Sequence, residues 1–275
     1  MINELIYKYE KSCFIYDRSN VKLPEQMIKD INANWEELIA DGKKCTNGEL
    51  FTINNILMDS DGIIKFIVNK TNYAHYLYSK KKDFECDHVC CSIAANVLPV
   101  TTDNYYVLGV MANWTVLPNK IKFVGGSMSE HDFIENRLEP LKCVKREMME
   151  EIGIDLDDIE YVKSYEPIYF VTRKNLSFIN VLYLARLNLS SSQIKDRFEK
   201  YKTYLIDNDM EVELDSILLV KNDIESNREF INANRNNLIE YMESLFNVIY
   251  GIQEANNIID KITCKNNKLD FSVES

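Results

Sequence analysis

The sequence predicts an α/β or α+β sandwich, preceded by a smaller N-terminal α+β module. Three observations predict it. Strand-like runs alternate with helical ones along most of the chain, and turn pairs Asp61-Gly62 and Asp103-Asn104 separate consecutive strands. A helix bounded by Pro140 and Gly153 follows a strand that ends in two glycines, Gly125 and Gly126. The 275 residues suffice for one large domain or two modest ones, and 46% hydrophobic with 27% charged residues is the balance of a globular protein.

In order along the chain, a short apolar opening around "SCFIYD" comes first. "PEQMIKDINANWEELIADG" then reads as a helix, with Pro24 in its first turn and Gly42 at its stop. Met27, Ile28, Ile31, Trp35, Leu38 and Ile39 recur at helical spacing and predict one apolar stripe. "ELFTINNIL" and "IIKFIVNK" read as a hairpin about Asp61-Gly62, because Asp-Gly favours the tight turns of hairpins. "NYAHYLYSKKK" reads as a short aromatic-rich helix ending in solvated lysines, and the first module is expected to span residues 1–87.

The second module, 88–275, opens with strands "SIAANVLPV" and "NYYVLGVMA", continues with the strand "IKFVGG", and reaches the helix at 140–152. Strands follow near 159–171 and 177–187, then a polar segment over 190–208 and "MEVELDSILLV". "REFINANRNNLIEYMESLFNVIYG" repeats apolar residues at Ile231, Leu238, Ile239, Met242, Leu245, Phe246 and Ile249, the spacing of one packing helix. An Asn/Lys-rich tail begins at Ile252.

A net charge of −11 argues against a non-specific grip on nucleic acid backbone. An acidic protein can still handle a phosphorylated substrate if divalent cations bridge the charges. The seven cysteines are odd in number and lack paired CxxC spacing, so reduced thiols in a cytoplasmic protein are expected. No signal-peptide pattern and no bilayer-length apolar run is present, so no membrane partner is expected.

The 140–152 helix breaks two local rules. Glu147 and Glu151 are a like-charge pair at i, i+4, with Glu150 beside them, and all three sit at the helix end that the backbone dipole makes negative. A divalent ion would relieve both conflicts, and carboxylate oxygens suit Mg²⁺ or Mn²⁺ rather than zinc. A solvated acidic face is the usual explanation of a charge run, and the charges alone favour it.

"REMMEEIGI" resembles the second half of the Nudix hydrolase signature, whose order is Arg-Glu, apolar, any residue, Glu-Glu, any residue, Gly, apolar. Arg146, Glu147, Met148, Glu150, Glu151, Gly153 and Ile154 match in register, and the strand–loop–helix order over roughly 89–250 is similar as well. The resemblance implies a Nudix-type α/β/α sandwich with a mixed sheet. It makes Glu147 and Glu151 the main metal ligands, assisted by Glu150 and the backbone carbonyl near Gly126. Arg146 orients the glutamates, and Glu147, Arg146 and Glu151 become the catalytic set. A further family carboxylate lies on a later loop, for which Glu211 and Glu213 are the candidates.

The first half of the signature departs from the pattern. Nineteen residues separate Gly126 from Arg146 where the family has thirteen, and Leu138 stands where the upstream glutamate belongs. Glu139 or Glu135 is the expected substitute.

"NGELFTINNIL", "IIKFIVNKTNYAHYLYS" and "CCSIAANVLPVTTDNYYVLGV" together look like the N-terminal extension of Nudix enzymes that cleave UDP-sugars. The resemblance implies a Mg²⁺- or Mn²⁺-dependent hydrolase of a nucleoside diphosphate joined to another group, a nucleotide sugar first. The rival is an inactive Nudix-fold nucleotide-binding sensor or scaffold. Tyr73, Tyr76 and Tyr78 could stack on a base or fill core, Arg173 and Lys174 could meet phosphates or form an exposed turn, and His75, His88 and His131 suggest no triad. The expected partner is a small nucleoside diphosphate derivative, with a homodimer left open.

Overall fold

The computed structural model describes residues 4–41, 46–115, 117–173 and 177–256. Gly42, Cys45, Lys174, Cys264 and the tail beyond residue 256 lie outside the described residues. The expected opening lies in β2 (Ser12–Asn20), preceded by a further strand, β1 (Glu4–Lys8), and followed by α1 (Glu25–Ala40). The hairpin forms as β3 (Glu49–Met58) and β4 (Ile64–Asn72), with Gly62 at a φ of 74° in its turn. Helix α2 (Tyr73–Lys81) is capped by Asn72, whose side chain accepts from the His75 N–H. The stripe on α1 is narrower than expected, since Met27 and Ile31 are buried while Ile28 and Ile39 are exposed.

Strands β5 (Ser92–Val100) and β6 (Tyr105–Met111) turn through Asn104 in the left-handed region. "IKFVGG" divides at Phe123 into β7 (Ile121–Lys122) and β8 (Val124–Ser127). The six-residue excess after Gly126 builds a 3-10 turn at Glu130–Asp132 and two short strands, β9 (Phe133–Ile134) and β10 (Arg137–Leu138). Helix α3 (Pro140–Ile152), then β11 (Val162–Arg173) and β12 (Phe178–Leu187), come next.

The polar stretch expected over 190–208 is a helix, α4 (Ser191–Asp207). Only Ile194, Phe198 and Leu205 are buried along it, which leaves little periodic signal. Its start was written in the chain, since Ser190 and Gln193 form a reciprocal capping box. After β13 (Leu214–Lys221), the expected single C-terminal helix is two, α5 (Ile224–Asn234) and α6 (Met242–Ile249). The break falls in the Asn-rich "NANRNN", where side chains compete for backbone hydrogen bonds. The intervening segment docks on β7, with the Ile121 N–H donating to the Asn237 carbonyl and the Ile239 N–H to the Ile121 carbonyl.

Strand β12 runs parallel to β5 from Phe178↔Ser92 to Arg186↔Val100, and β8 lies antiparallel along β5 from Ala94↔Ser127 to Val97↔Val124. Strand β6 pairs β13 and β7, which gathers Lys122, opposite Gly109, and the start of β13, opposite Met111, at one end. Strand alternation sends Ile93, Ala95 and Val97 of β5 to one face, against Val144, Met148 and Ile152 of α3 and Phe198 of α4. Leu98 and Val100 face the other way, toward Ile231 of α5 and Phe246 of α6. The result is an α/β/α layering around a mixed sheet. The sheet and its first core continue across Asp87, because Phe14, Phe51 and Phe66 share a cluster with Ala95 and Met148. Among the described residues, no helix is long and apolar enough to cross a membrane.

Candidate active site

Pro140 occupies the first turn of α3, and Gly153 ends the helix at a φ of 72°. There the Ile154 N–H donates to the Met148 carbonyl and the Gly153 N–H to the Met149 carbonyl, the paired bonds that satisfy a helix end. A Cβ at Gly153 would also lie 2.5 Å from the Tyr201 ring. This stop fixes the rotation of α3, so Glu147 and Glu151, one turn apart, face the two glycines of β8 and are 7% and 3% exposed.

One carboxylate oxygen each from Glu147, Glu151 and Glu213 lie within 4.8 Å of one another. Glu213 arrives from the residue before β13, whereas Glu211 is exposed and outside the group. Glu150 is outside it too; its exposed carboxylate accepts from Arg146 Nη1 at 2.9 Å. Gly126 lies against the cluster so closely that a Cβ there would sit 2.6 Å from Glu147 Oε1. The Gly125 N–H donates to Glu151 Oε2 at 3.1 Å.

Arg146 braces the group from behind. Its Nη1 donates to Glu147 Oε1 at 2.7 Å, while Nε and Nη2 each meet one oxygen of Asp132 at 3.1 Å. Asp132 is fully buried, and it also accepts from the Ser129 N–H at 2.7 Å. Neither Glu135 nor Glu139, the expected substitutes for the missing upstream glutamate, holds this place. Glu135 is exposed, Glu139 begins α3, and Leu138 is buried opposite Phe14. Spacing could have found Asp132, since Ser129 and Asp132 stand at the capping-box interval.

Lys122 was also missed. Its ammonium donates to Glu151 Oε1 at 2.5 Å and to Glu213 Oε1 at 3.1 Å. Strand alternation was the available signal, because Val124 packs on the α3 side while Phe123 packs on the other, which points Lys122 at α3. Burial pushes Glu151 up to about 8, against the pull of Lys122 and with Glu147 and Glu213 adding to the rise. Burial likewise raises Glu147. For Lys122, burial acts downward, but Glu151 and Glu213 more than offset it and hold the ammonium above its usual range. Burial raises the Cys143 thiol well above its usual value, so this neighbour stays protonated.

The cluster opens on a cavity of about 620 Å³, lined at this end by Lys122, Gly126 and Glu213. Tyr73 and Tyr76 of α2 line the far side with rings stacked at 5.8 Å, and Trp114 joins them with its indole N–H on the Val212 carbonyl at 3.2 Å. Tyr78 packs instead beside α1. Arg173 lines the wall, paired with Glu240 at 2.8 Å and sandwiched by the Phe84 and Phe178 rings. His75 is buried between Thr71 and the His88 carbonyl, and His131 is exposed.

The donors are all hard oxygens, and three carboxylates set against two cations, Lys122 and Arg146, leave a net negative charge that a divalent ion would offset. That set fits Mg²⁺ or Mn²⁺.

Solved structures that the fold resembles are Nudix hydrolases. A Nudix hydrolase from Nitrosomonas europaea is 9% identical over 67% of this chain and 99% of its own, with a TM-score of 0.34. RenU, a Nudix hydrolase from M. smegmatis, is 11% identical over 74% of this chain and 99% of its own, with a TM-score of 0.35. A bifunctional NMN adenylyltransferase/ADP ribose pyrophosphatase from Francisella tularensis is 9% identical over 63% of this chain, with a TM-score of 0.35. The chain spans 45% of that protein's length. Likeness at this level concerns the fold alone. No protein-family model and no curated protein matches the sequence.

Proposed function

We propose that this protein is a divalent-metal-dependent hydrolase of the Nudix type. It cleaves the diphosphate linkage of a nucleoside diphosphate joined to another group, a nucleotide sugar and in particular a UDP-sugar. The observation that carries the reading is the carboxylate cluster of buried Glu147 and Glu151 with half-exposed Glu213, beside a cavity whose walls offer aromatic rings and cations.

Glu147 and Glu151 would hold the ion, with Glu213 beside them at the cavity wall. A bound Mg²⁺ or Mn²⁺ supplies charge neutralisation of the diphosphate and a lowered pKa for its water. The remaining work falls to the chain. Arg146, fixed by Asp132, keeps the Glu147 carboxylate in place, and Gly126 leaves room for it. As the water oxygen bonds one phosphorus and the bridging P–O bond breaks, Glu213 accepts the water's proton, because it is the carboxylate of the three that lines the cavity. The products are a nucleoside monophosphate and the phosphate of the other group. Glu150, exposed and bound to Arg146, assists by keeping the guanidinium in position.

The UDP-sugar reading is supported by the contribution of the N-terminal segment. Tyr73 and Tyr76 belong to the module proposed for residues 1–87, yet they form a wall of the same cavity as Glu213. Incubation with UDP-sugars, ADP-ribose, NAD and NTPs plus Mg²⁺ or Mn²⁺, beside Glu151→Gln, tests the proposal. Metal-dependent release of a monophosphate and a sugar phosphate, lost in the variant, is expected. Tight binding without turnover would replace the enzyme with a nucleotide-binding sensor.

A further inference from the structure

Lys122 stands where a carboxylate metal site has no need of a cation. Its ammonium contacts two of the three clustered carboxylates, Glu151 at 2.5 Å and Glu213 at 3.1 Å, and its side chain is only 12% exposed. Arg146 already serves Glu147, so each carboxylate of the group has a positive partner supplied by the chain. The repulsion among the three carboxylates, two buried and one half-exposed, is therefore partly offset without any ion. An ion entering among the same oxygens meets a positive charge in contact with two of them.

Lys122 has one direction in which to yield. It lines the cavity together with Gly126 and Glu213, and its four-carbon stem rises from β7, whose backbone is fixed to Gly109 of β6. Swinging away from Glu151 carries the ammonium into the space where the diphosphate of the proposed substrate would lie. There it would find new anionic oxygens in exchange for those it gives up.

We propose that Lys122 is a resident counter-cation that competes with the divalent ion for Glu151 and Glu213, and that it transfers to a substrate phosphate when the ion binds. The inference rests on the metal-site reading above and adds a regulatory consequence. Metal occupancy is held low in the free protein and rises when an anionic ligand is present to receive the lysine.

The experiment is a Mn²⁺ titration of the full chain, followed by the EPR signal of free Mn²⁺, for wild type, Lys122→Met and Lys122→Arg. Lys122→Met should bind Mn²⁺ at least tenfold more tightly than wild type, and Lys122→Arg, which keeps the charge, should bind no more tightly. Lys122→Met leaves Glu151 buried without its partner and so loses stability in metal-free buffer. The thermal shift produced by saturating Mn²⁺ should then be larger in Lys122→Met than in wild type. Equal or weaker Mn²⁺ binding in Lys122→Met, with no larger thermal shift, would overturn the inference while leaving the metal site standing. Absence of Mn²⁺ binding in wild type and both variants would overturn the metal-site reading as well.

Discussion

Asp132 and Arg146 sit on different elements, a 3-10 turn and a helix, yet they meet through two parallel hydrogen bonds of 3.1 Å. The carboxylate is buried and also ties down the Ser129 N–H, so one side chain fixes both the loop and the arginine that holds Glu147. Asp132, from the loop between Gly126 and α3, thus braces the arginine, whereas exposed Glu135 does not.

Asp132→Ala should therefore cost both stability and rate. Removing one partner of a buried charge pair costs about 3 kcal/mol. Urea unfolding should show a loss of that order, and turnover should fall because Arg146 no longer holds Glu147. Glu135→Ala and Glu139→Ala should leave turnover nearly unchanged; a fall in either as large as that in Asp132→Ala would return the bracing role to that glutamate.

Gly126→Ala separates the site from the fold. The new Cβ would fall 2.6 Å from Glu147 Oε1, the mobile end of a side chain, so the carboxylate shifts and the backbone need not. Stability should change by about 1 kcal/mol or less, whereas metal affinity should fall about 10- to 100-fold, as when a ligand's support is disturbed. Calorimetric metal titration beside thermal unfolding reads both effects.

Glu213 and Glu211 are two residues apart and were equivalent candidates in the sequence. Only Glu213 reaches the carboxylate group. Glu213→Gln should lower metal affinity by about tenfold or more, and Glu211→Gln should match wild type. Equal losses in the two variants would show that the segment before β13 takes another course.

Protonation supplies a further test in metal-free buffer. Burial lifts Glu151 from 4.5 in the unfolded chain to about 8 in the fold. Between those values the folded protein holds a proton that the unfolded chain has released, so stability falls as pH rises through the window. Glu147, also raised by burial, acts in the same sense. Urea midpoints taken across the window with a chelator should decline for wild type, decline less for Glu151→Gln, and recover on addition of Mg²⁺. A wild-type midpoint that stays level across it would mean that Lys122 keeps Glu151 ionised throughout.

The hairpin of β3 and β4, the exact extent of β5 and the limits of α3 were legible because turn residues and caps bound them, Asp61-Gly62 and Pro140 to Gly153. Helix α4 was not, since three buried residues in seventeen leave a weak period, and only its Ser190–Gln193 box marked it. The split between α5 and α6 was hidden because Leu238 and Ile239 fit a helical repeat while serving as a bridge to Ile121. At the site, Glu147 and Glu151 were readable from local spacing. Local spacing marked Asp132 only as the partner of Ser129, and the ties of Lys122 to Glu151 and of Asp132 to Arg146 span 29 and 14 residues, which only the fold brings together.

Binding of Mn²⁺ by wild type, Glu147→Gln and Glu151→Gln, measured by EPR of the free ion, bears most directly on the chemistry. Saturable binding in wild type that weakens by at least about 100-fold in each variant is expected, since disturbing a ligand's support alone costs about 10- to 100-fold. Binding of equal strength in all three proteins would place the ion elsewhere and leave the buried glutamates without a catalytic task.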